Sequence, residues 1–451
     1  MLKFHKRRLC LYLNWMIKEG VCLNNIFEKG FAPDIDSGAK FIIEKLEKNG
    51  YEGFIVGGCV RDTIMGRKPN DWDIATNASP EEVMKIFKKT IPTGVEHGTV
   101  TVMIDKAPYE LTTYRIDGEY VDMRHPENVQ FSKDIVDDLS RRDFTINAMA
   151  YNKKVGLVDK FNGLEDIENK IIRCVGNPNK RFNEDALRMI RAIRFSAKLN
   201  FKIEEKTFQS IIKNTSNIKK ISIERINKEL AETIKFDSRK LYLLNQIGLS
   251  RWLFGIELEK ENLETAEKVE TFLKNYNLNK EDEKMLKNSL KMMFVLKSLA
   301  NSDLKNILKK LRYSRKDIEI ITKLQSIFNN KKYQDIINEN MSTKERKTMI
   351  KHILNESGNI LLAKYAIYSI FIEKNANPSI CFSQFNDIID SGECFSISQL
   401  DLNGRDLIEN NIAKGAIIGV LLNAILEYVI LNPEENEKEK LLAFAKNYKI
   451  M

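Results

Sequence analysis

Two aspartates one residue apart, Asp71 and Asp73, are the pair in this 451-residue chain best suited to chemistry. In a strand, side chains at i and i+2 share a face, so both carboxylates would lie close enough to hold divalent cations. One such ion lowers the pKa of an attacking hydroxyl, and a second neutralises a departing pyrophosphate. Standing alone, the pair reads more simply as an acidic strand end in solvent. What precedes it favours the metal: the segment 57–76 runs GGCVRDTIMGRKPNDWDIAT. A short strand ends at Val56, Gly57 and Gly58 follow, and a helix is expected to begin near Val60. Glycines at that junction let backbone N–H groups approach a triphosphate, with the helix N-terminus adding partial positive charge and Arg61 a full one. Glu110, on a strand expected to pair beside the Asp71–Asp73 strand, is the third acidic candidate; its alternative reading is a rim carboxylate.

A second constellation lies in the segment 184–192, EDALRMIRA. Asp185 and Arg188, at i and i+3 on an expected helix, would be neighbours on one face. A carboxylate accepts from an exocyclic amine, and a guanidinium donates to ring nitrogen and carbonyl acceptors. Cytosine and adenine offer that pattern. Uracil and guanine present a carbonyl and an N–H instead, leaving both charges unpaired. The pair could therefore choose C and A over U and G with no template, although by itself it also reads as a surface ion pair. Arg191 and Arg194 continue the stripe toward where phosphates would lie, and the apolar Phe195 beside them suggests a helix facing a cleft.

These residues need a scaffold, and the chain is long enough for about three domains. Its charge is 72 − 63 = +9, with 43% hydrophobic residues, 21 glycines and 9 prolines, which excludes collagen-like and disordered classes. The longest apolar stretch, Ile417–Leu431, is interrupted by Asn423 and Glu427 and is shorter than the ~20 residues of a membrane span. Six cysteines without CxxC spacing fit a reducing cytoplasm and argue against structural zinc or a disulfide framework. Before about residue 170, glycines and β-branched runs alternate with short helices. Beyond it the periodicity is helical, including expected helices over 181–199 and 222–236. The fold class is thus an α/β head followed by helical domains. Between Lys280 and Asp335, 14 Lys/Arg face 7 Asp/Glu, a basic helical surface suited to a phosphate backbone.

In order along the chain, the segment 57–76, DLSRRDFTINAMA (138–150), DKFNG (159–163), EDALRMIRA (184–192) and SIERINKEL (222–230) resemble the motifs of the class II tRNA nucleotidyltransferases, the CCA-adding enzymes and related bacterial poly(A) polymerases. The resemblance implies a polymerase-β-like nucleotidyltransferase head at 35–169, a neck at 170–239 with the base-selecting motif, a body at 240–345 and a tail at 346–451 that holds tRNA. Residues 1–34 are an extension of no assigned role. It further implies Mg²⁺ at Asp71 and Asp73, Glu110 assisting the nucleophile, and Gly58, Arg61 and Arg142 on the triphosphate, with Asp143 and Asn147 supporting ribose recognition. CTP and ATP would be the nucleotides and the tRNA 3′ end the acceptor, its acceptor and T-arm backbone lying on the tail. The polar loop 115–126 is expected to be mobile, and its presence argues against an enzyme adding C alone. An A-only adding enzyme, a poly(A) polymerase and a non-catalytic RNA-binding relic are the rival readings. No membrane association is expected, and a homodimer is left open.

Overall fold

The computed structural model describes residues 33–118, 129–275 and 281–448. The extension 1–32 and most of the polar loop, residues 119–128, lie outside the described residues. The chain divides into two compact units, one ending at Leu249 and one beginning at Ser250.

The first unit is built on a seven-stranded sheet, β1 (Gly53–Val56), β2 (Ile74–Thr76), β3 (Thr90–Gly94), β4 (Thr99–Ile104), β5 (Ala107–Thr113), β8 (Ala150–Asn152) and β9 (Gly156–Val158), in the order β3-β4-β5-β2-β1-β8-β9. Only β2 and β5 run parallel, with Ile74 opposite Leu111; every other neighbouring pair is antiparallel. This register aligns two acidic positions: β2 emerges from Asp73, and β5 bears Glu110 one residue before Leu111. Along β5, Tyr109, Leu111 and Thr113 face inward while Glu110 is exposed, the period-2 alternation that the sequence implied. Phe54, Val56, Ala75, Tyr114, Leu139 and Ala150 form a buried cluster on one side of the sheet.

Helix α1 (Ser37–Lys48) starts where the Asp36 carboxylate accepts the N–H groups of Gly38 and Ala39, at 2.9 and 3.3 Å. Helix α2 (Gly58–Ile64) follows β1 directly, two residues earlier than expected. Helix α3 (Pro80–Ile86) opens on a Ser79/Glu82 capping box and stops before β3, short of the 80–89 span its sequence suggested. Next come β6 (Arg115–Asp117) and β7 (Val129–Phe131), an antiparallel pair. The segment expected to be a mobile loop from Arg115 onward therefore starts as a strand. Helices α4 (Ile135–Ser140) and α5 (Gly163–Glu168) complete the head.

Beyond the head, α6 (Pro178–Glu184), α7 (Leu187–Leu199), α8 (Glu205–Asn214) and α9 (Ile223–Asp237) carry the neck motifs. This region is not purely helical: β10 (Ile171–Ile172) and β11 (Lys202–Ile203) pair in parallel within it. The single helix expected over 181–199 is also broken. Asp185, at φ −140° and ψ 103°, leaves helical geometry, and its side chain accepts the N–H of Leu187 at 3.0 Å to start α7 afresh.

The second unit is helical among its described residues, from Ser250–Phe254 to Lys438–Asn447. Two buried lysines are tied to carboxylates there, Lys291 to Glu267 and Lys351 to Glu393 at 3.3 and 2.6 Å. Lys305, Lys309, Arg312, Arg315 and Lys316 are exposed, as a basic outer surface requires. No helix among the described residues is long and apolar enough to cross a membrane.

The β1–α2 turn depends on a glycine. Gly57 sits at φ +73° and ψ −122°, and a Cβ there would meet the Arg142 Nη1 at 2.6 Å. A Cβ on Gly58 would meet nothing closer than the Arg61 Nη2, at 3.7 Å. Gly57→Ala is expected to lower stability by about 1–3 kcal/mol, whereas Gly58→Ala should leave the melting temperature near wild type. Thermal denaturation of the two variants side by side checks this.

Candidate active site

All ten residues singled out from the sequence, Asp71, Asp73, Glu110, Gly58, Arg61, Arg142, Asp185, Arg188, Arg191 and Arg194, line one cavity of about 510 Å³ within the first unit. One wall is the head sheet with α2, and the other is one face of α7 with part of α9.

On the head wall, Asp71 and Asp73 do not lie in a strand as expected. β2 begins at Ile74, and they occupy the extended lead-in to it, anchored where the Val56 N–H donates to the Asp73 carbonyl at 3.0 Å. The carboxylates of Asp71, Asp73 and Glu110 have no hydrogen bond or ion pair to any described side chain. They nonetheless feel each other. Burial, then the charges of Asp71 and Glu110, push the Asp73 carboxyl up to about 6, against the pull of Arg142. Among the described residues no group of three or more acidic, His or Cys side chains is arranged to hold a metal by itself. Hard oxygen donors from one or two side chains, completed by substrate phosphates and water, remain the pattern that suits Mg²⁺.

The basic residues are arranged quite differently. Arg61 is buried; its Nε and Nη2 reach Asp62 at 2.8 and 2.7 Å, and its Nη1 donates to the Asn147 side-chain oxygen. Asn147 passes an N–H to Asp143 at 3.1 Å, and Asp143 takes Nε and Nη2 of Arg191 at 2.9 and 2.7 Å. Arg191 approaches Glu229 of α9 at 4.0 Å, and Arg194 donates to the same carboxylate. Burial opposes the charge on Asp143, but Arg191 and the Asn147 amide outweigh it and hold its carboxyl down at about 2. Arg142 is bound through Nη2 to the buried Asp138 at 3.0 Å. The Phe195 ring lies between the guanidiniums of Arg61, Arg191 and Arg194, at 5.4, 5.4 and 4.1 Å from its centroid.

Asp185 and Arg188 share the cavity but do not form the pair that their spacing suggested, because the helix breaks between them. Asp185 receives Arg225 of α9 at 3.2 Å. Arg188 binds Glu184 at 2.7 Å and donates to the carbonyls of Arg181 and Arg141, at 3.2 and 2.9 Å. Arg225 as a cavity residue and Lys198 were not singled out. The helical interval of four from Arg194 to Lys198 was the available signal for the latter.

In the metal-free protein, Asp73 is expected to take up its proton near pH 6 rather than near the ordinary carboxylate value. Asp71→Asn removes a like charge and should lower that midpoint. Carboxyl ¹³C shifts followed between pH 4 and 8 read both.

The family model of the poly A polymerase head domain matches residues 53–173, and that of tRNA nucleotidyltransferase domain 2 matches residues 287–445. A CCA-adding enzyme of Ligilactobacillus salivarius is 35% identical over 415 residues, covering 92% of this chain and 97% of its own. One from Lactobacillus helveticus is 35% identical over 412 residues, covering 91% and 96%. Among solved structures, the Bacillus stearothermophilus CCA-adding enzyme in complex with CTP superposes with a TM-score of 0.71 at 29% identity, over 91% of this chain and 97% of that one. Similarity of this extent, running through head and helical domains alike, shows that the chain belongs to the family of CCA-adding enzymes.

Proposed function

We propose that this protein adds C, C and A to the 3′ end of tRNA from CTP and ATP, without a nucleic-acid template, releasing pyrophosphate at each step. The observation that carries the reading is the single cavity in which three unpaired carboxylates face a base-choosing aspartate and arginine. Mg²⁺ held by Asp71 and Asp73 would lower the pKa of the tRNA 3′-hydroxyl and neutralise the leaving pyrophosphate. Glu110, one strand away on β5, is placed to orient that hydroxyl and accept its proton. Gly58, Arg61, Arg142, Arg191 and Arg194 line the path of the triphosphate, and Asn147 and Asp143 link Arg61 to Arg191 beside it.

Base choice follows from what Asp185 and Arg188 give up. Each already has a protein partner, Arg225 and Glu184. A base must therefore offer an amine to the carboxylate and acceptors to the guanidinium together, as C and A do. One that satisfies neither leaves both charges better served by the protein. The exposed basic helices of the second unit suit the tRNA acceptor and T-arm backbone, read as shape and charge. Cys59, Cys174, Cys381 and Cys394 are buried free thiols, which suits a reducing cytoplasm.

Three tRNA transcripts, ending at the discriminator base, at C and at CC, test the activity when offered CTP, ATP or both. All three are expected to finish at CCA with both nucleotides, and the first to gain CC with CTP alone. No incorporation of CTP on any transcript, with ATP added only to the CC-ended one even when both are offered, would indicate an A-adding enzyme, and a long A ladder a poly(A) polymerase. Asp71→Ala should reduce incorporation by roughly 10³-fold or more while tRNA binding persists; turnover near wild type would remove the metal role.

A further inference from the structure

Eight arginines and one lysine line the cavity, and their pairing separates them sharply. Every one of the arginines has a carboxylate partner: beyond the pairs already described, Arg115 binds Asp117 and Arg141 binds Asp138. Lys198 has none within 4 Å among the described residues. It lies in the last turn of α7, on the same face as Arg191, Arg194 and Phe195, and about 15 Å along the helix from Arg188. Its stem is half-buried, with Nζ 5.8 Å from the Phe236 ring centroid. Burial pulls the ammonium below its ordinary pKa, and so do Arg61 and Arg194, while Asp62 and Asp71 work in the opposite direction. The base-choosing end of α7 is thus remote from Lys198, and the fields that reach Lys198 come from α2 and from the carboxylate lead-in to β2.

An incoming nucleoside triphosphate brings about four negative charges into this space. Paired arginines can offer it spare N–H groups, but their charge is already offset, so entry of the phosphates needs cationic charge that no carboxylate has claimed. We infer that Lys198 is a phosphate-binding residue of the site, its ammonium taking the β- and γ-phosphates of CTP or ATP and holding them as the departing pyrophosphate. The placement fits that end of the nucleotide: the α-phosphate must lie at Asp71 and Asp73 while the base lies at Asp185 and Arg188. Of the cations on the α7 wall, Lys198 lies furthest along the helix from Arg188 and feels the charge of Asp71, so it meets the phosphates beyond α. The inference rests on the nucleotidyl-transfer reading above and adds to it the residue that grips the leaving group.

The test compares the full-length wild type with Lys198→Ala, Lys198→Met and Lys198→Arg. Each is assayed for ATP addition to a CC-ended transcript and CTP addition to a C-ended one, with inorganic pyrophosphate as inhibitor. Calorimetric binding of pyrophosphate is measured in parallel, so that phosphate recognition is read even if no nucleotide is incorporated by the wild type. Loss of the ammonium in the Ala and Met variants is expected to raise KM for both nucleotides and the pyrophosphate inhibition constant by about tenfold. The Arg variant should recover most of that loss, and KM for tRNA should not move. The Met variant keeps the apolar stem over Phe236, so wild-type behaviour there would show that only packing matters and overturn the inference. Unchanged pyrophosphate binding with a raised KM for tRNA would overturn it too, placing the ammonium on the RNA strand.

Discussion

An ion pair between the buried Asp143 and the part-exposed Arg191 is the constraint on which the rest of the site depends. Asp143 belongs to the head and Arg191 to α7, so their 2.7 Å contact joins the part of the chain that carries Asp71, Asp73 and Glu110 to the helix that carries Arg188. The Asp143 charge cannot be left alone at that depth: a buried carboxylate that loses its partner stays desolvated and unpaired, at a cost of about 3–5 kcal/mol. The pair also has extensions on both sides. Asn147 and Arg61 continue it into α2, and Glu229 and Arg194 continue it into α9. A hydrogen-bonded chain of this kind favours one geometry because each member has its remaining capacity committed to the next.

That commitment also defines what is left over. The arginines of the cavity are largely neutralised by carboxylates of the protein, so they shape the walls and contribute N–H donors more than net charge. Asp71, Asp73 and Glu110 are the exception among the acids, and their mutual repulsion is visible in the raised pKa of Asp73. Charges held together with no partner represent energy that a divalent cation can relieve on binding. Asp185 and Arg188 are satisfied without substrate, so under the proposed function a base is selected by whether it replaces two existing interactions at once.

Much of this was legible in the sequence where spacing and backbone chemistry coincide. The GG turn, the DxD pair and the β5 alternation around Glu110 each follow from local rules, and all ten candidate residues fall in one cavity. The misreadings occurred where a side chain overrode periodicity. Asp185 was placed on a continuous helix because the apolar positions from Arg181 to Leu199 keep helical spacing; its carboxylate instead caps Leu187 and breaks the helix. Asp71 and Asp73 keep the extended form that their spacing needed, yet the sheet ladder begins only at Ile74. Pair identities such as Asp185 with Arg225, 40 residues apart, were beyond reach, since they depend on how α7 and α9 pack rather than on any local pattern.

The central claim is that protein side chains alone choose the nucleotide. It is tested most directly by single-turnover addition from ATP, CTP, GTP and UTP, one at a time, to C-ended and CC-ended tRNA transcripts, by the wild type and by Arg188→Ala. The account predicts that the preference of kcat/KM for CTP on the C-ended transcript and for ATP on the CC-ended one, over GTP and UTP, falls by about tenfold to a hundredfold in the variant, with the rate for GTP and UTP falling far less than that for the preferred nucleotide. A uniform loss across all four nucleotides, leaving the preference intact, would contradict it.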